Sequence, residues 1–127
     1  MNTVNPTDEQ IALITNKYND TPFVMVNLLK FKCDSSGKKS QHLYHQYTRK
    51  VLPLIKSIGA RVVFYGAMKD IFIGTADEIW DEVLCVYYPS GKLFLHMIAQ
   101  EEYQNANKLR EEALEKCILM ISDMASM

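Results

Sequence analysis

The apolar positions of this chain repeat at a spacing of 3.6 in some stretches and 2 in others, and each switch marks an element. Thr7-Asp8-Glu9-Gln10, with Pro6 just before it, is a capping box opening a short helix whose stripe is Ile11, Ile14 and Tyr18. Asn19-Asp20-Thr21-Pro22 ends that helix, and Phe23 to Phe31 reads as a strand. Lys32 to Ser40, with Ser35-Ser36-Gly37-Lys38-Lys39, reads as a flexible solvated loop. From Gln41 to Ile58 the helical period sets Tyr44, Tyr47, Val51, Ile55 and Ile58 on one face. Pro53 predicts a kink in this helix and Gly59 a cap at its end. Arg61 to Met68 is a second strand, with Gly66 predicting a bulge, and Trp80 to Tyr88 a third. Pro89-Ser90-Gly91 leads into a short helix carrying Leu93, Phe94, Met97 and Ile98. Helix continues over Glu101 to Glu115, and Cys117 to Ile121 is the last strand.

After the leading helix the order is β-α-β-β-α-β, the split pattern of ferredoxin-like α+β domains. Four antiparallel strands with helices on one face follow from it. Both faces of the strands are apolar. Phe23, Met25, Leu29 and Phe31 oppose Val24, Val26 and Leu28, and Ile118 and Met120 oppose Leu119 and Ile121. Helices cover one sheet face only, and a bare apolar face of several hundred Å² exceeds what soluble monomers carry, on the order of 300–600 Å². A homodimer formed through that face is the expected solution, with the N-terminal helix folding across it as the alternative.

At 127 residues the chain fits one domain, residues 1–127. Apolar residues at 48% and charged residues at 23% are ordinary globular values, so no disulfide or metal staple is needed for a core. Net charge is −1, which argues against a nucleic-acid partner. No apolar run approaches the ~20 residues of a membrane span. The start, Met1 to Pro6, lacks the basic and apolar regions of a signal peptide, so the expected compartment is the cytoplasm. Cys33, Cys85 and Cys117 form no Cys-x-x-Cys pair, and only Cys33, in a polar loop beside Lys32, reads as a reactive thiol.

The position that stands out is Arg110. The stripe of Tyr103, Ala106, Ala113, Leu114 and Cys117 places it on the inward face of the last helix, with Asn107 beside it. A guanidinium there needs a partner, either a carboxylate such as Asp81 or Glu82 or a bound anion. Asn27 is a lone amide between Met25 and Leu29 on one strand face, satisfying backbone or orienting a ligand. Tyr44 and Tyr47 bring hydroxyls to the same side, unless they are simply core aromatics with a polar tip. His42 and His45 have no carboxylate at ligand spacing, so neither a metal nor a cofactor is expected. No Gly-rich phosphate loop is present.

Asn5-Pro6-Thr7-x-x-Gln10 and Pro22-x-x-Met25-x-Asn27-Leu28-Leu29-Lys30-Phe31 are followed in order by Tyr44-x-x-Tyr47, Gly59-Ala60 and Gly66. Trp80-Asp81-Glu82-Val83, Tyr88-Pro89-Ser90, Tyr103 and Arg110-x-x-Ala113 complete the set. Together they resemble domain-of-unknown-function family 1330. That resemblance implies a dimeric α+β barrel, in which two ferredoxin-like sheets pack face to face. It implies no activity and carries over no catalytic residues. One departure is Glu101-Glu102 before Tyr103, where the family has a Pro-containing turn. Two functions follow as expectations. One is a cofactor-independent enzyme or binder for a small anionic or phenolic metabolite, held by Arg110, Asn27, Asp81, Tyr44 and Tyr47. The other is a non-catalytic structural or accessory homodimer with no ligand pocket.

Overall fold

A computed structural model describes residues 4–124; Met1 to Thr3, part of the start read above for leader character, lie outside them. The elements run α1 (Asp8–Tyr18), β1 (Phe23–Phe31), α2 (Gln41–Ser57), β2 (Arg61–Ala67), β3 (Glu82–Tyr88), α3 (Gly91–Ala99), α4 (Glu101–Ala113) and β4 (Leu114–Ser122). The capping box of α1 forms as expected: Gln10 N donates to Thr7 Oγ1 and Thr7 N to Gln10 Oε1. Gly59 takes the left-handed conformation, at φ +77°, that lets the chain leave α2 and enter β2.

The strands lie in the order β2-β3-β1-β4, all neighbours antiparallel. This is the ferredoxin-like arrangement with an added N-terminal helix, and the sheet is open. The barrel implied by the family resemblance is therefore corrected: β2 and β4 are free edges. A closed barrel whose interior side chains can fill takes about eight strands, twice what this sheet supplies. The fold of one chain likewise establishes neither the homodimer nor the cytoplasmic address expected from the sequence.

One sheet face packs under α2, α3 and α4. Phe23, Met25, Leu29 and Phe31 of β1 and Leu84, Val86 and Tyr88 of β3 meet Tyr44, Tyr47, Val51 and Ile55 of α2 in the core. The bulge in β2 falls at Val63, not at Gly66, because the register with β3 shifts between Val62 and Phe64. The extra residue turns Val62 and Tyr65 to the helix side and Phe64 to the bare side. Gly66 has a different task. A Cβ there would lie 2.9 Å from Phe64 Cζ, so its missing side chain makes room for that ring.

α1 does not cross the bare face. It packs on α3, so closely that a Cβ on Gly91 would meet Tyr18 O at 2.6 Å. The bare face keeps two aligned apolar rows, Phe64-Cys85-Val26-Met120 and Gly66-Val83-Leu28-Ile118. Arg61 over the Tyr87 ring borders them at one end, and Lys116 over the Trp80 ring at the other.

The continuous helix expected after Glu101 is separated from α3 at Gln100, whose extended backbone (ψ 146°) ends α3 and caps α4. β4 begins as soon as α4 ends, and Leu114 pairs with Phe31 across the sheet. That direct passage seats Arg110, three residues before the helix ends, over the covered face.

Candidate functional site

Under α2 the covered sheet face leaves a cavity of about 160 Å³. Its floor is one cross-strand row, in which Asn27 pairs with Leu84, and Leu84 with Tyr65. Tyr44, Tyr47 and Tyr88 add aromatic walls, and the exposed Leu52, Val62 and Tyr65 mark the mouth between α2 and the edge strand. Three of the residues expected at the site, Asn27, Tyr44 and Tyr47, thus meet here.

The Asn27 side chain donates from Nδ2 to Leu84 O at 2.9 Å and Met25 O at 3.2 Å, which fixes its orientation. Its Oδ1 and the hydroxyls of Tyr44 and Tyr88 take part in none of the hydrogen bonds formed among the described residues. No sealed side-chain oxygen or nitrogen among those residues lacks a partner. All three residues line the cavity. They offer acceptors and donors to a guest in an otherwise apolar space.

Arg110 stands behind this wall and does not line the cavity. It is 4% exposed. Its Nη1 reaches Asn5 Oδ1 at 3.4 Å and Asn107 Oδ1 at 3.5 Å, and its Nη2 reaches Cys117 Sγ at 3.5 Å. All three contacts are long and neutral. Among the described residues no carboxylate lies within salt-bridge distance of it. Asp81 is elsewhere, accepting from Phe31 N at 2.8 Å and Lys39 Nζ at 3.0 Å. Lys39 is delivered there by a built turn: Asp34 Oδ1 accepts from Ser36 N and Lys38 N, and Cys33 bridges to Lys39.

The charge of Arg110 acts on the tyrosines. Burial pushes Tyr44, Tyr47 and Tyr88 well above the ordinary phenol value of 10.0, and Arg110 pulls each part of the way back. Tyr47 and Tyr103 share a hydrogen bond of 3.0 Å that ties α2 to α4 beside the guanidinium. Burial likewise raises Cys117, against the same positive charge. The arrangement is a buried cation whose field reaches neutral hydroxyls at the cavity wall.

Sequence reasoning weighed Glu82 only as a partner for Arg110, and His45 only as a metal ligand, and missed Tyr65 as a site residue. Glu82 is 7% exposed, and both its oxygens are engaged. Tyr65 Oη donates to Oε1 at 2.6 Å, and His45 Nε2 to Oε2 at 2.8 Å. These residues come from β3, β2 and α2, so no local spacing announces them. The one available signal was Glu82 itself, an acid on the covered face of an otherwise apolar strand.

A larger hollow of about 370 Å³ lies among Lys30, Asp77, Glu78, Trp80 and Lys116. Its charged residues are solvated at the surface, and no unpaired buried group points into it. The described residues contain no group of three His, Cys, Asp or Glu arranged to hold a metal ion.

Residues 37–124 match the model of the family described as "Domain of unknown function (DUF1330)". The chain belongs to the DUF1330 family. No curated protein matches it. Among solved structures, RPA0582, a protein of unknown function from Rhodopseudomonas palustris, is similar to this DUF1330 chain at TM-score 0.86 and 28% identity over 100% of both chains. A dimeric protein of unknown function with a ferredoxin-like fold from Bacteroides fragilis has TM-score 0.59 at 14% identity, covering 81% of this chain and 96% of that one. An uncharacterized NIPSNAP domain protein from Burkholderia xenovorans has TM-score 0.60 at 15% identity, covering 82% and 95%. The last two share the fold alone. No helix among the described residues of the DUF1330 chain is long and apolar enough to cross a membrane.

Proposed function

We propose that this DUF1330 protein binds a small anionic or phenolic metabolite in the cavity beneath α2 and acts on it without a cofactor. The observation that carries the reading is the Arg110 guanidinium, buried behind the tyrosine wall with no carboxylate among the described residues to neutralise it. A buried charge left in this state costs several kcal/mol, on the order of what a bound anion or a polarised phenol returns. Tyr44 and Asn27 present the guest with oxygens that have no partner among the described residues. The size fits as well: a cavity of about 150 Å³ is known to take a benzene ring, and this one measures about 160 Å³. An Arg110 locked to Asp81 in a filled core would have favoured an accessory subunit, and Asp81 is held by Lys39 instead.

The test is a thermal-shift series of small carboxylates, phosphates and phenols on wild type, Arg110→Lys and Tyr44→Phe. Stabilisation of wild type that weakens in both variants is expected, since a guest bound only to the folded chain raises its melting point. Equal shifts in all three proteins, or none in any, would remove the reading.

The bare sheet face supports a second statement, that two copies of this chain pair through it. Phe64, Ile118 and Met120 are 50%, 41% and 47% exposed on that face, in register with Val26, Leu28, Val83 and Cys85. Arg61 and Lys116 stand at the ends as a polar rim, the usual anatomy of a self-association patch. The Bacteroides fragilis protein and a ferredoxin-like protein from Thermobifida fusca that shares the fold are both described as dimeric. Light scattering across micromolar concentrations decides it: a mass of one chain throughout would overturn the pairing.

A further inference from the structure

We infer that Tyr65, Glu82 and His45 form a proton-transfer chain serving the cavity, and that its substrate is a small carboxylate with an acidic C–H beside a carbonyl. The inference rests on the cavity reading given above. Tyr65 lines the mouth, and its hydroxyl donates to a buried carboxylate oxygen at 2.6 Å. The other oxygen of Glu82 is occupied by His45 Nε2 at 2.8 Å, so the only lone pairs poised to take a proton are those facing Tyr65. His45 is a positioning residue. Its side chain is 41% exposed, against 10% for that of Glu82, so the pair runs from solvent inward.

The step balances within these groups. A substrate C–H proton passes to Tyr65 Oη as the Tyr65 proton passes to Glu82 Oε1. The electron pair of the broken C–H bond becomes the C=C bond of an enolate, and the carbonyl oxygen takes the negative charge that Glu82 gives up. Charge thus moves from β3 toward the Arg110 side of the cavity, where the buried cation and the free hydroxyl of Tyr44 favour it. Reversal restores every group, and half-exposed Tyr65 exchanges its proton with water between events.

Burial and the neighbouring carboxylate push Tyr65 well above the ordinary phenol range, so it hands one proton on only as it receives another. The groups facing Glu82 are Tyr65 from β2 and His45 and Tyr44 from α2; Asp81 beside it in sequence is neutralised by Lys39. No other described base stands against the cavity.

The experiment follows deuterium incorporation at C3 of 2-oxobutyrate in D₂O by proton NMR, with wild type, Glu82→Gln, Tyr65→Phe and His45→Gln. Binding is measured in parallel by thermal shift. Wild type should exchange C3 faster than buffer, with saturation. Glu82→Gln and Tyr65→Phe should each lose at least about a hundredfold in the maximal rate, the usual contribution of a general base, with half-saturation unchanged. His45→Gln should move the pH profile of the rate. Should Glu82→Gln unfold the chain, Tyr65→Phe on the exposed edge strand carries the comparison. Binding without exchange in wild type, or exchange undiminished in the variants, overturns the chain and leaves the cavity reading standing. Neither binding nor exchange removes both.

Discussion

Asn5 and Arg110 meet across the molecule: Asn5 Oδ1 accepts from Arg110 Nη1 at 3.4 Å and from Asn107 Nδ2 at 2.9 Å. From the segment before α1, Asn5 thus offers the buried cation a neutral oxygen. Glu111, one residue on from Arg110 in sequence, instead accepts from Asn5 Nδ2 at 2.5 Å. Asn5 orders the guanidinium without cancelling its charge.

Arg110→Met therefore separates stability from function. Met fills a comparable volume with no charge to desolvate, and replacing buried ionic groups by apolar ones is often neutral or stabilising by about 1–4 kcal/mol. Urea denaturation is expected to show the variant at least as stable as wild type, while the thermal shift produced by small anions disappears. Arg110→Ala leaves a void instead and should cost about 2–3 kcal/mol. A large loss of stability in Arg110→Met would make the guanidinium a structural element and not a ligand-facing charge.

The tyrosines tie stability to alkaline pH. Tyr44, Tyr47, Tyr65 and Tyr88 all have folded-state values raised above 10.0, with burial the largest cause in each. A raised folded value means that the native state holds the proton longer than the unfolded chain. The stability it contributes is complete below about pH 10 and is lost as pH climbs from there toward the folded values. Spectrophotometric titration should show part of the phenolate absorbance of the denatured chain missing near pH 10, appearing only as the protein unfolds. Full phenolate absorbance with native circular dichroism would contradict the burial.

Much of this was legible in the chain and some was not, for physical reasons. The 3.6 spacing of Tyr44, Tyr47, Val51 and Ile55 specified the buried face of α2, and the 100° step put Arg110 on the inward face of α4. Asn27 was visible as one polar residue in an apolar row. Asn107 and Cys117, near Arg110 in sequence, were visible as its neighbours, but Asn5 was not, because it is 105 residues away, and the acids Asp81 and Glu82 were taken by Lys39, His45 and Tyr65. The base of the site escaped for the same reason: its residues sit on three elements brought together only by sheet register. The bulge was misplaced to Gly66 because glycine marks both bulges and close approaches, and here the Phe64 ring made it the second. The barrel was a family-level expectation that a four-stranded open sheet does not meet.

Gly91 tests how tightly α1 is held. A methyl group there would stand 2.6 Å from Tyr18 O and 2.8 Å from Ile14 Cγ2, and the first of these is backbone that cannot rotate away. Gly91→Ala is expected to lose about 1–3 kcal/mol, the usual cost of overpacking. Hydrogen exchange should rise first in α1, whose main packing is against α3. A variant as stable as wild type would mean that α1 shifts without loss.

Met120 offers the cleanest handle on the bare face. It is 47% exposed in the single chain and stands opposite Val26 in the central apolar row. Lysine there reaches water with its ammonium while its stem lies along the sheet, so the fold itself should change by less than about 0.5 kcal/mol. In a pair of copies the same side chain would be buried against apolar neighbours with no acid among Phe64, Cys85 and Val26 to receive it. Met120→Lys is therefore expected to leave circular dichroism unchanged while weakening self-association by at least about tenfold, the equivalent of 1.4 kcal/mol. If wild type associates and the variant associates equally well, the contact lies on another surface, and the exposed Phe72 and Ile73 of the loop after β2 become the next residues to change.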